Sequence, residues 1–293
     1  MRPKFHGVAP ALITPMLANG QVDYQGLRRL IQHVTDGGVD YMVVHGTTGE
    51  SATTDKNEKK AILDFIKENN SKNLPIVYGL GGNNTANVIK SIQETDFQGV
   101  DAILSVCPYY NKPDARGIIA HYSAIADASP VPIIMYNIPG RSGINMSAQT
   151  TLTLAQHPNI IGIKEASCII EQCMEINRDK PEDFLLISGD DVQAVPTIAC
   201  GGVGIISVIA NAIPAKFCEM IHAAMEGDFL KARTMLGSFL AIDPLLYEEG
   251  NPVGVKKIIE IKGICGLDVR LPLIKASDEL GERMKAVIAK DNL

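Results

Sequence analysis

The chain has 293 residues and a net charge of −6, with 46% hydrophobic and 20% charged side chains. That length is usual for an α/β barrel, and the composition suits a globular protein with a large core. The negative charge offers no long-range attraction for nucleic acid or an anionic membrane, and no apolar run approaches the ~18 residues of a membrane span.

Met1 to Ala11 carries two basic residues but no apolar stretch or small-residue cleavage site, so no secretory signal is expected and the chain is read as cytoplasmic. Short apolar runs then follow in order: "VAPALI" from Val8, "VDYMVV" from Val39, "PIVYGL" from Pro75 and "VDAILSV" from Val100. The second half adds "PIIMY" from Pro132, "NIIGIK" from Asn159, "FLLIS" from Phe184 and "VGIISV" from Val203. Between them lie segments of helical spacing, with Asp23 and Asp55 as N-caps and Gly37-Gly38 as a stop. Strands that are apolar throughout, each followed by a helix, predict parallel strands covered on both faces. The count fits a (β/α)8 TIM barrel better than an open sheet. Beyond Ala210 the pattern turns helical, so residues 1–225 are read as the barrel and 226–293 as a C-terminal helical extension packed on it. The six cysteines form no CxxC pair and are expected to be buried and reduced.

A barrel of this kind carries its site at the C-terminal ends of the strands. The stretches there are "HGTTGES", "GLGGNN", "CPYYNKP", "YNIPGRSG", Lys164 itself, "SGDD" and "SVIAN", and they concentrate glycines, hydroxyls, tyrosines and amides at one end. Lys164 ends an otherwise apolar strand, where burial disfavours the ammonium and frees an amine that can form a Schiff base with a keto group. On that stretch alone, a lysine reaching out to solvent or pairing with Glu165 explains it equally well. Tyr136 ends the neighbouring strand and is a candidate proton carrier, or else a core aromatic bonded to backbone. Thr47 and Thr48 sit in a glycine-bracketed turn suited to binding a carboxylate, and Arg141 offers a fork for another. Asp190 and Asp191 raise a divalent-metal alternative, weakened by the lack of histidine partners at the other strand ends. "GLGGNN" lacks both the P-loop lysine and the GxGxxG spacing of a nucleotide site.

Taken together, "GTTGES", "PYYNKP", "YNIPGRSG", "GIKEAS" and "SGDD", in this order, resemble the dihydrodipicolinate synthase / N-acetylneuraminate lyase family of pyruvate-dependent class I aldolases. The double threonine and the arginine after "YNIP" point to the dihydrodipicolinate synthase branch. The resemblance implies that Lys164 is the Schiff-base lysine and that Tyr136, Thr47 and Tyr110 form a proton relay, Tyr110 reaching in from a neighbouring subunit. It implies that Thr48, with Thr47, binds the pyruvate carboxylate, that Arg141 binds the second substrate, and that Gly189 and Ile206 line the pocket. The reaction implied is condensation of pyruvate with L-aspartate 4-semialdehyde, with no cofactor beyond the lysine and no metal. A homo-oligomer is implied, with a tetramer built as a dimer of dimers as the expected form. Another pyruvate aldolase, a metal-dependent aldolase and a non-catalytic ligand-binding barrel remain as alternatives. In lysine-inhibited members, Ser51, Ala52, Lys56, Lys59, Asn83, Asn87 and Tyr109 match a lysine pocket. Histidines typically stand where Lys56 and Lys59 do, and an acid where Asn87 does, so weak inhibition by lysine is expected here.

Overall fold

The computed structural model describes residues 2–293. Eight strands lie at the expected places: β1 (Gly7–Pro10), β2 (Met42–Val44), β3 (Ile76–Gly79), β4 (Ala102–Val106), β5 (Ile133–Asn137), β6 (Ile160–Glu165), β7 (Leu185–Ser188) and β8 (Gly204–Ser207). All pair in parallel, in the order β1-β8-β7-β6-β5-β4-β3-β2. An isolated parallel bridge between Ala11 and Val43 joins the β1 and β2 edges and brings the sheet round into a barrel. The first strand is shorter than its apolar run. After Pro10 the chain turns into the barrel mouth, where the Ile13 N–H donates to Asn211 Oδ1 at 3.0 Å.

Continuous apolar strands are explained by two cores. Ala9, Val43, Val77, Leu104, Ile134, Tyr136, Ile187 and Ile206 point into the barrel interior, while Val8, Met42, Ile103, Met135, Ile163 and Ile205 pack under the surrounding helices. Each strand therefore buries both faces. The helices begin as their sequence signals require. Asp23 accepts from the Gly26 N–H ahead of Tyr24–Asp36, and Asp55 forms a capping box with Glu58 ahead of Lys56–Asn69. Gly38, at φ +86°, sits just past the first helix in the left-handed conformation expected of a helix stop.

Beyond β8, helices Pro214–Met225, Phe229–Gly237, Val253–Ile261 and Asp278–Asp291 follow. The tail is less purely helical than its pattern predicts. Pro244 opens the short 3-10 helix Pro244–Leu246, Pro252 and Pro272 fall outside the helices, and the segment 240–252 brings Tyr247 and Asn251 to the barrel mouth instead of extending an α-helix. Among the described residues no helix is long and apolar enough to cross a membrane. All six cysteines are free; Cys107, Cys173, Cys218 and Cys265 are buried as expected, whereas Cys168 is exposed and Cys200 only partly covered.

Candidate active site

Lys164 is 5% exposed and points into the barrel because of an irregularity in β6. Ile161 packs on the interior, and strict alternation would then turn Lys164 outward. The register between β5 and β6 instead slips by one residue: Ile133 pairs with Ile160, but Ile134 pairs with Gly162. From that point Ile163 faces the helices and Lys164 the interior, directly beside Tyr136 in the ladder. Gly162 is needed at the slip, since a Cβ there would stand 2.7 Å from Leu185 Cβ and its carbonyl oxygen.

The same alternation sends Glu165 away from Lys164. Its carboxylate accepts from Asn137 Nδ2, from Gln172 Nε2 at 2.8 Å and from the Ser167 N–H at 2.7 Å. Lys164 thus neither reaches solvent nor pairs with its neighbour. Burial pulls its pKa down to about 8, partly countered by the charge of Asp191, and Arg141 adds to the lowering. The ammonium nitrogen lies 4.4 Å from the centre of the Tyr136 ring. Burial raises the Tyr136 phenol to about 12, against the opposing pull of Arg141 and the Thr47 hydroxyl, so the phenol keeps its proton at neutral pH.

Thr47 and Thr48 open a 3-10 turn, Thr47–Gly49, at the top of β2. Thr14 Oγ1 donates to the Gly49 carbonyl at 2.7 Å and fastens the turn to the β1 loop. Arg141 lies on the short helix Pro139–Ser142; among the described residues its guanidinium has no carboxylate partner. Thr47, Thr48, Tyr136, Arg141, Lys164 and Gly189 all line one cavity of about 430 Å3, measured out to solvent. A Cβ on Gly189 would stand 2.9 Å from Lys164 Cε, so glycine leaves the lysine its space. Ile206, expected to line the pocket, is instead fully buried in the barrel interior and is not among the residues of the cavity wall; Val208, two residues on, takes that place. Tyr110 lies outside this cavity, 88% exposed at φ +73°.

Asp190 and Asp191 are engaged separately. Asp191 accepts from Ser207 Oγ and from the Val208 and Ile209 N–H groups, and Asp190 from the Val192 and Gln193 N–H groups. Burial lifts Asp191 to about 6.

Two lining residues, Tyr247 and Asn251, escape the sequence reading because they come from the segment 240–252 of the tail. Asn251 Nδ2 donates to Thr48 Oγ1 at 3.0 Å. The one signal for them is "NP" at 251–252, a turn dipeptide inside the stretch whose pattern is helical. Glu50 is also missed. It follows the double threonine at φ +54°, buried, and its carboxylate receives Lys256 Nζ and the Arg270 N–H.

A family model described as the dihydrodipicolinate synthetase family matches residues 4–291. A protein of Cytophaga hutchinsonii named 4-hydroxy-tetrahydrodipicolinate synthase is 52% identical over 286 residues, covering 98% of this chain and 96% of its own. A solved dihydrodipicolinate synthase from Aquifex aeolicus superposes with a TM-score of 0.93 at 37% identity, over 99% of both chains. Another, the chloride-inhibited enzyme of Acinetobacter baumannii complexed with pyruvate, gives a TM-score of 0.95 at 33% identity, again over 99% of both chains.

Proposed function

The chain belongs to the dihydrodipicolinate synthetase family, and from that premise we propose that it condenses pyruvate with L-aspartate 4-semialdehyde to 4-hydroxy-tetrahydrodipicolinate, on the route to diaminopimelate and lysine. The observation that carries the reading is a buried lysine whose nitrogen lies 4.4 Å from the centre of the Tyr136 ring in the cavity, where burial pulls its pKa down to about 8. At pH 7 about one Lys164 in ten is then neutral, against a few in ten thousand for an ordinary lysine.

Lys164 Nζ attacks the keto carbon of pyruvate, and loss of water leaves an iminium. Protons move through Tyr136, Thr47 and Tyr110 of the partner subunit. The iminium withdraws electrons from the adjacent methyl group, which gives up a proton to form the enamine. The enamine carbon attacks the aldehyde of the second substrate, and Tyr136 supplies the proton taken by the new alkoxide. The amine of that substrate then displaces Lys164 at the former keto carbon, closing the ring and freeing the lysine. Thr47 and Thr48 hold the pyruvate carboxylate and Arg141 that of the semialdehyde. Gly189 gives the lysine room, and Ile206 packs in the barrel interior. The lysine is the electron sink, so the reading calls for no separate cofactor and no metal.

Tyr110 is a large aromatic left exposed in the left-handed conformation, which suits a side chain completed by a second copy. The assembly proposed is a homo-oligomer, a tetramer as a pair of dimers, and free thiols throughout fit a cytoplasmic setting. Mixing a Tyr110→Phe chain with a Lys164→Ala chain should regain activity, since one site of each hybrid dimer is whole; none regained after verified exchange rejects the shared site.

The mechanism is tested by borohydride reduction with pyruvate and peptide mass analysis. One reduced pyruvyl group on Lys164, with activity lost, is expected. An adduct on another lysine, or activity in Lys164→Ala, overturns it.

A further inference from the structure

The turn that bears Thr47 and Thr48 is held from two sides, and the second side is the C-terminal extension. Glu50 closes the turn in the left-handed conformation at φ +54°, and its N–H donates to the Thr47 carbonyl at 3.1 Å. A non-glycine residue adopts that conformation only where its surroundings hold it. Here the hold is a buried ion pair. Lys256, on Val253–Ile261 and 0% exposed, donates Nζ to Glu50 Oε1 and to the Asp268 carbonyl at 2.6 Å. The other Glu50 oxygen accepts the Arg270 N–H at 3.0 Å, and the Arg270 guanidinium runs on to Glu58 and to the Gly20 and Thr53 carbonyls. Asn251, just before that helix, occupies a lone pair of Thr48 Oγ1 with its amide, which leaves the Thr48 hydrogen free to donate into the cavity.

We infer that Glu50, Lys256 and Asn251 are positioning residues that aim the double-threonine turn at the carboxylate of the keto-acid substrate, so that the extension sets keto-acid affinity although it carries no reacting group. The inference rests on the reading of Thr47 and Thr48 as carboxylate ligands.

A buried charge left alone destabilises the fold, whereas replacing both members of a pair with neutral groups of similar shape is often tolerated. The test is therefore Glu50→Gln/Lys256→Met, alongside Asn251→Ala. The readout is the concentration of pyruvate, and of pyruvamide as its uncharged counterpart, that half-saturates borohydride trapping at Lys164. The double variant should fold with a melting temperature near that of the wild type and need at least tenfold more pyruvate, with pyruvamide changed less than twofold. Asn251→Ala should need three- to tenfold more pyruvate. A merely structural pair would shift the melting temperature and leave the preference for pyruvate over pyruvamide intact. A wild-type preference for pyruvate retained in both variants overturns the inference, and Asn251→Ala decides alone if the double variant does not fold. Absence of any Lys164 adduct in the wild type instead defeats the functional reading itself.

Discussion

Two buried lysines stand at the mouth of this barrel, and they are handled in opposite ways. Lys164 is buried at the end of an apolar strand with no carboxylate in contact among the described residues, and burial brings its pKa down to about 8. Lys256 is sealed as completely, and burial pulls its pKa down too, but Glu50 raises it and shares an ion pair with it. The first lysine is left short of a counter-charge, so that its amine is available. The second is given a counter-charge, so that its nitrogen fixes a turn. A buried lysine is therefore read by its partner and not by its burial.

The contrast is broken most sharply at Lys164. Lys164→Met should lower turnover by ~10³-fold or more, because no other group supplies the amine. It should also raise stability, since the native state no longer carries an unpaired ammonium. A fall from 10.5 to about 8 corresponds to on the order of 3 kcal/mol. The sign follows from proton binding: between pH 8 and 10.5 the unfolded chain holds the proton and the native chain does not. The advantage of the Met variant should thus be full below about pH 8, shrink as pH rises toward 10.5, and vanish above. Urea melts at pH 7 and pH 10 measure it, and a variant less stable than wild type at pH 7 would show that Lys164 is satisfied after all. Tyr136→Phe should cost ~10²–10⁴ in turnover with the fold kept, as it removes only the proposed proton carrier; a loss under threefold in steady-state rates would make Tyr136 structural.

At the paired lysine the sign reverses. Lys256→Met alone leaves the Glu50 carboxylate buried without its cation, and a loss of ~3–5 kcal/mol in urea melts is expected. Opposite stability changes from the same substitution at the two sites would establish the comparison, and equal ones would dissolve it. A smaller effect sharpens it from the chemical side. With the Lys164 pKa at about 8, the rate of adduct formation with pyruvate and cyanoborohydride should rise about tenfold from pH 7 to pH 9 and level off. A continued climb to pH 10.5 would mean an ordinary lysine.

Much of this is legible in the sequence. The eight strands, the mouth loops and the helix caps follow from apolar runs, prolines, glycines and Asp23 and Asp55, all of them local signals. The direction of Lys164 is not legible, because it depends on a one-residue slip against β5 that only pairing reveals. Glu50, Lys256, Tyr247 and Asn251 are hidden for a related reason. The Glu50–Lys256 contact spans 206 positions of chain, and nothing local marks either residue as the other's partner. The tail reads as helix because its periodicity is helical, while the segment that reaches the mouth is short and interrupted by prolines.

The surface offers a third setting for the same ammonium, this time as a ligand. A free L-lysine molecule asks of the surface what Lys256 asks of the core, a carboxylate for its side chain. At the positions where the resemblance places a lysine pocket, the local charge is the wrong way round, though less so than the sequence suggests. Lys56 Nζ is paired with Glu94 at 2.8 Å, which offsets much of its repulsion and also engages a nearby carboxylate. Lys59 has no ion pair among the described residues and is half-buried, and burial lowers its pKa. Asn83 is held by Tyr109 and Asn111, its side chain donating to the Tyr109 carbonyl at 3.1 Å. Asn87, at the start of Thr85–Glu94, brings no charge. One uncompensated cation and one missing carboxylate remain, which together should weaken lysine binding by roughly tenfold relative to a site with an acid and neutral side chains there. Initial rates titrated with L-lysine should show half-inhibition no lower than about 1 mM. Half-inhibition well below that would mean that the ammonium finds a carboxylate elsewhere at this surface. Glu94 released from Lys56 would be the first to examine, by repeating the titration in Glu94→Gln.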